Sequence, residues 1–146
     1  MSVHPIAAVL AGTPHRHPML LLDAIESMEP GRRGRARKAV TTGPHGTAGG
    51  PAFASTLLVD ALGQLAIAVL RVGGAGVHEV WYLGSIEGME FGAPARPGDV
   101  IHLEAAVQRS FRGSARVSVL ARVDDLPIAQ GFMVLSTGAR TGKRGE

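Results

Sequence analysis

The feature that most constrains this chain is the run Pro51–Arg71, PAFASTLLVDALGQLAIAVLR, the longest apolar stretch in the sequence. Ser55 or Thr56 stands where a cap is needed, and Gly73-Gly74 follows its end, so the spacing predicts one helix of about five turns. Its apolar residues leave no wide polar face, and a helix that is apolar all round belongs inside a fold. Thr56, Asp60 and Gln64 nevertheless fall at successive i, i+4 positions and align as one polar stripe. A carboxylate on such a helix is costly unless it is hydrogen-bonded or has chemistry to perform. Whatever the rest of the chain builds has to wrap this helix and give Asp60 a purpose.

A chain of 146 residues is one domain with enough length to bury a core. The apolar run is interrupted by Asp60 and Gln64, which argues against membrane insertion, and no basic segment precedes the short apolar piece near the N-terminus as a signal peptide would require. The absence of cysteine excludes disulfides, thiolate metal sites and cysteine nucleophiles together. These features lead to the expectation of a cytoplasmic protein. The pI of about 10.2 invites a nucleic-acid reading until the charges are located. Arg140, Lys143 and Arg144 against Glu146 supply +2 of the net +3, so the body is close to neutral and residues 137–146 read as a basic, disordered tail. With 4% aromatic residues and no recognition motif, the nucleic-acid reading fails.

His4–Leu10 is expected as a short helix, Met19–Met28 as a strand turning at Pro30-Gly31, and Arg32–Thr41 as a second, more exposed strand. After a Gly-rich loop over Thr42–Gly50 and the central helix, the period changes to two. Val77–Ile86 and Met89–Phe91 form a strand broken near Gly88, and Ala93–Asp99 is a turn-rich corner. Val100–Arg109, Ser114–Val123 and Ile128–Ser136, joined by short links, predict an antiparallel meander. One buried helix and a curved antiparallel sheet make an α+β arrangement, and a sheet surrounds a helix only by curling around it.

Three segments in this order resemble a known family. PHRHPMLLLD is similar to the LPHRYPFLLVD segment of β-hydroxyacyl-acyl-carrier-protein dehydratases, LLVDALGQLA to that family's helix signature, and YLGSIEGMEFGAPARPGDVIHLE to its FLAGIDKARFRRPVVPGD segment. The resemblance runs from about residue 13 to 136 and implies a hot-dog fold, with residues 1–136 as a single domain. It also implies a dimer, homomeric or with a related chain, acting on acyl thioesters of a carrier protein or coenzyme A in fatty acid or polyketide biosynthesis, with no cofactor, no metal, no nucleic acid and no membrane.

In the family, a His on the loop GHFPGxPxxPG acts as base, a helix carboxylate from the other subunit assists loss of the hydroxyl, and a Gly amide at the helix start holds the thioester carbonyl. Carried over, Asp60 is the acid, Ser55 stands at the Gly and Pro51 at the second Pro of the pattern, with Ser55, Gln64 and Pro51 as the substrate-binding set. The family's histidine lies fourteen residues before the acid, which falls on Gly46; His45, one residue away, is the candidate base. The loop departs from the pattern elsewhere too, since Phe-Pro after the histidine is absent and Ala54-Ser55 replaces Pro-Gly. Three readings follow: a β-hydroxyacyl thioester dehydratase using Asp60 and His45; a dehydratase-like subunit without its catalytic histidine that binds acyl thioester or completes a partner's site; and a hot-dog thioesterase in which Asp60 activates water. The basic run Arg32–Lys38 reads as a solvated strand face or as a docking surface for an acidic carrier protein.

Overall fold

The structure, a computed structural model, describes residues 2–4, 21–42, 52–72 and 80–138. The central run forms helix α1, Ser55–Val72. Around it lie strands β1 (Ser2–His4), β2 (Ala24–Glu29), β3 (Arg33–Ala39), β4 (Val80–Phe91), β5 (Val100–Phe111), β6 (Ser114–Val123) and β7 (Leu126–Gly138). All are joined in one antiparallel sheet of order β1-β2-β3-β5-β6-β7-β4. The α+β expectation holds, and so does the meander of the last three strands. His4, expected to begin a helix, instead ends strand β1, opposite Ile25 on β2; residues 5–10 lie outside the described residues.

Alternation explains why the sheet closes on the helix. Ile101, Leu103 and Ala105 on β5, Val117, Val119 and Ala121 on β6, and Met133 and Leu135 on β7 are all buried on one side. They form one core with Leu58, Ala61, Leu62, Leu65, Ala66, Val69 and Leu70 of α1. Each buried Leu or Ile contributes roughly 1.5–3 kcal/mol of transfer free energy, so this shared face is the main source of stability. The helix lies chiefly over β5, with β3 and β6 at its sides. On β3 the approach is so close that a Cβ added to Gly34 would stand 2.9 Å from Cγ2 of Val69.

The helix is also tied down by its backbone neighbours. Gly31 in the β2–β3 turn donates to the Val69 carbonyl at 3.0 Å, and Phe53, just ahead of α1, donates to the Ala95 carbonyl at 2.8 Å. The corner after β4 is itself closed by Asp99, whose carboxylate accepts from the Arg96 N–H at 2.8 Å, and by Gly98 donating to the Val40 carbonyl. The break expected near Gly88 is a bulge inside a continuous strand. The register of β4 against β7 shifts between Glu87 and Glu90, Gly88 takes a φ of 57°, and Gly131 on β7 lets the bulge approach.

Candidate functional site

The first intrahelical bond of α1 runs from the Leu58 N–H to the Ala54 carbonyl at 3.0 Å. The N-cap position therefore falls to Ala54, and Ser55, expected as a cap, is the first helical residue. The reason is tertiary: the bond from Phe53 to Ala95 fixes where the chain enters the helix. Ser55 and Thr56 are exposed at this end. Beside it lies an apolar cavity of about 280 Å³, walled by Phe53, Leu58, Phe91, Pro94 and Ile128. It brings together the helix start, the end of β4, the corner after it and the start of β7.

Down the helix the polar stripe passes from exposed to buried. Thr56 is exposed, Asp60 half-buried, and Gln64 only 1% exposed. The Gln64 side-chain oxygen accepts from the Leu21 N–H at 2.8 Å, and its Nε2 donates to Asp60 Oδ2 at 3.4 Å. A buried amide is tolerated when it is hydrogen-bonded in this way. The structure thus joins Asp60 and Gln64 directly and places Ser55 five residues ahead of Asp60 on the same helix. His45 and Pro51 lie outside the described residues.

The Leu21 amide, the Ala95 carbonyl and the cavity walls Phe91, Pro94 and Ile128 were not among the sequence-derived site residues. Nothing in a local window signals that Leu21 would meet Gln64 across 43 residues of chain. For the corner the signal was its turn chemistry, which marks a bend and not its partner.

The basic strand β3 is largely neutralised by its neighbours. Arg33 pairs with Glu29 at 2.5 Å, Arg37 with Glu26 at 3.6 Å and Lys38 with Asp23 at 3.6 Å. The hydrogen bond from Arg33 holds the Glu29 carboxyl below its ordinary range. A larger hollow of about 620 Å³ lies on the outer face of the sheet, among Arg35, Glu104, Ser118 and Gln130, and no residue of α1 lines it. The smaller cavity is the one that adjoins the helix carrying Asp60. Among the described residues, no three His, Asp or Glu side chains cluster as a metal site would require.

No family model matches the chain. Curated relatives do. It is 31% identical over 136 residues to the 3-hydroxyacyl-[acyl-carrier-protein] dehydratase FabZ of Roseiflexus castenholzii, covering 90% of this chain and 94% of that protein. To the FabZ of Ralstonia nicotianae it is 36% identical over 128 residues, covering 82% and 77%. Among solved structures it is similar to the dehydratase heterocomplex ApeI:P of Xenorhabdus doucetiae, with a TM-score of 0.75 at 12% identity over 91% of this chain and 92% of that one. A hypothetical thioesterase with coenzyme A from Streptococcus pneumoniae superposes with a TM-score of 0.65 at 10% identity, over 79% and 84%. These structural likenesses establish the hot-dog fold, in agreement with the helix wrapped by a curled sheet. Near-full-length similarity above 30% identity carries the closer assignment: the chain belongs to the 3-hydroxyacyl-[acyl-carrier-protein] dehydratase family.

Proposed function

We propose that this protein eliminates water from 3-hydroxyacyl thioesters, acting as a dimer in the cytoplasm, with the acyl group carried by a carrier protein or coenzyme A. The observation that carries the reading is the half-buried carboxylate of Asp60 on the core helix of a family of dehydratases, one helix with the exposed start that adjoins an apolar cavity.

In this mechanism a base removes a proton from C2 of the substrate. The C2–H electron pair becomes the C2–C3 double bond, the C3–O bond breaks, and the hydroxyl leaves as water with a proton from Asp60. His45 of the other subunit is the proposed base, and Pro51 is a proposed substrate-binding residue. The free N–H groups around Ser55 polarise the thioester carbonyl, a role suited to a helix start with its positive dipole end. The reaction needs a base, an acid and a polarised carbonyl, so no cofactor is called for. The apolar cavity at the helix start suits a hydrocarbon tail. Location in the cytoplasm fits the burial of α1: the helix is long and apolar enough to cross a membrane, but Leu58 and every residue from Ala61 to Leu70 are covered within the sheet.

Support for the dimer comes from β4. It is a 12-residue strand at the edge of the sheet, and it leaves Leu83, Ile86 and Phe91 exposed at 40%, 43% and 49%. Their register partners Leu135, Met133 and Ala129 are buried, so these three point to the helix side, where α1 does not cover them. A second copy pairing antiparallel along β4 would satisfy the open edge and cover that apolar strip.

A second reading has its own support. The count from Asp60 places the family's histidine on Gly46 and not His45, and a structural neighbour is a dehydratase heterocomplex. Under that reading the chain supplies Asp60 to a related partner that carries the histidine.

One assay separates the readings. Purified protein is incubated with 3-hydroxyacyl and enoyl thioesters while enoyl absorbance and free thiol are followed. Enoyl formation lost in both His45→Ala and Asp60→Ala supports the dehydratase. Thiol release lost in Asp60→Ala alone marks a thioesterase, and inertness relieved by mixing with a related chain marks the partner subunit. Dehydration unchanged in His45→Ala removes that residue from the mechanism.

A further inference from the structure

On the outer face of the sheet the register aligns Ser27, Arg35, Glu104, Leu120, Gln130 and Glu90 in one row from β2 across to β4. All six line the hollow of about 620 Å³, a volume in the range of small-molecule sites. Ala106, Leu120 and Phe132, each half-buried, add apolar surface to its lining.

The β3 end of the row holds two groups left without partners. Of the four cations from Arg33 to Lys38, three meet a carboxylate of β2 or of Asp23 just ahead of it, and Arg35 does not. The pairing explains why. The register of β2 shifts between Ile25 and Ser27, so Arg35 stands opposite a serine on one side. On its other side stands Glu104, whose carboxylate is drawn away to Arg122 at 2.6 Å. The exposed Arg35 therefore has no carboxylate partner among the described residues. Ser27 beside it is 6% exposed, and its hydroxyl has no hydrogen-bond partner among them either. A buried hydroxyl left unpaired costs free energy that a bound acceptor would recover.

We propose that this hollow binds a small carboxylic acid with an apolar body. Arg35 holds the carboxylate, Ser27 turns about χ1 to donate to it, and the body lies over Ala106, Leu120 and Phe132. The guanidinium fork matches the two oxygens of a carboxylate, which makes Arg35 a better receptor for that head than a point charge would be. Glu90 and Glu104 line the same hollow and repel a second negative charge, so the ligand carries one anionic group and not several. No residue of α1 takes part, and the inference does not rest on the chemistry proposed at Asp60.

Octanoate is the probe, set against octanol without the head, acetate without the body and octyl phosphate with another head. Binding to the full chain is followed through backbone amide resonances. Octanoate should shift the amides of Ser27, Arg35 and Ser118 to saturation at millimolar concentration, while octanol and acetate should not saturate them. Arg35→Gln should weaken octanoate by about 10- to 100-fold, the scale of hydrogen bonds to a charged group, and Arg35→Lys by less. Ser27→Ala should weaken it by about 3- to 10-fold without lowering the thermal midpoint, since the hydroxyl removed had no partner to lose. Equal affinity in the parent and Arg35→Gln overturns the site, and so does octanol that binds as well as octanoate. Tighter binding of octyl phosphate overturns the carboxylate head. Shifts confined to Phe53, Leu58 and Ile128 would put the acid in the cavity at the helix start and overturn the proposal too.

Asp60→Asn keeps this test apart from the functional reading. That variant should lose dehydration and still bind octanoate on the outer face as the parent does. Loss of outer-face binding in Asp60→Asn overturns the independence of the site.

Discussion

Strands β4 and β6 are nearly equal in length, and both belong to the same sheet, yet they are buried in opposite ways. Along β6, Ala115, Val117, Val119 and Ala121 are buried in strict alternation. Along β4 only Trp81 is buried, and exposure runs unbroken from Tyr82 to Gly88 on both faces. The cause is position: β6 lies between β5 and β7 with α1 beneath it, whereas β4 is an edge strand with β7 on one side and touches the helix less. A strand that is apolar on its inner face and still uncovered has not finished burying its surface. The difference separates a part of the molecule that one chain completes from a part that, on our reading, a second chain completes.

Register partners give the sharpest way to break this comparison. Leu83 on β4 stands opposite Leu135 on β7, yet Leu135 is fully buried and Leu83 is 40% exposed. Leu135→Ala should cost about 2–5 kcal/mol in urea unfolding, as core truncations do. Leu83→Ala should cost far less in the single chain and should act instead on dimer dissociation. Equal losses of stability in the two variants would erase the contrast between the strands.

Ile86→Lys places a charge on the uncovered inner side of β4. It should leave the circular dichroism spectrum intact while the mass measured by light scattering at micromolar concentration falls to that of a monomer. A dimer that survives this change is not built on β4. Gly131→Ala tests the bulge. A Cβ there would stand 2.8 Å from the Met89 Cα and 3.1 Å from the Glu87 and Gly88 carbonyls, all backbone that has to move. An overpacking cost of about 1–3 kcal/mol is expected, read as a lowered midpoint of thermal unfolding.

The smallest effect lies on the far side of the sheet, where β2 and β3 pair through exposed charges. The carboxyl of Glu29 is lowered in pKa by the hydrogen bond from Arg33, so its contribution is present above the unfolded value and lost as pH falls through the folded one. The midpoint difference between the parent and Glu29→Gln should shrink in acid and not in base. A difference that grows below pH 4 contradicts the assignment.

Much of this was readable in the sequence because the signals were local. Period-two alternation located β5, β6 and β7, and the lack of a wide polar face along Leu57–Leu70 placed α1 inside. Asp60 stood out since a carboxylate in such company is expensive. What escaped was non-local. His4 looked helical by its neighbours, but its strand exists through pairing with Ile25. The capping residue, expected at Ser55 or Thr56, fell instead at Ala54 because Ala95, 42 residues beyond Phe53, decides where the helix begins. Leu21 entered the site through a backbone amide, and no side chain announces that.

The three ties on α1 have a mechanical consequence. Phe53 to Ala95 holds the chain entering the helix, Leu21 to Gln64 holds the middle, and Gly31 to Val69 holds the far end. A shaft seated in three bearings does not slide. A shift of one turn, about 5.4 Å, would unseat all three at once. This helix therefore cannot work as a piston, and any control over Asp60 has to arrive from what is brought to it.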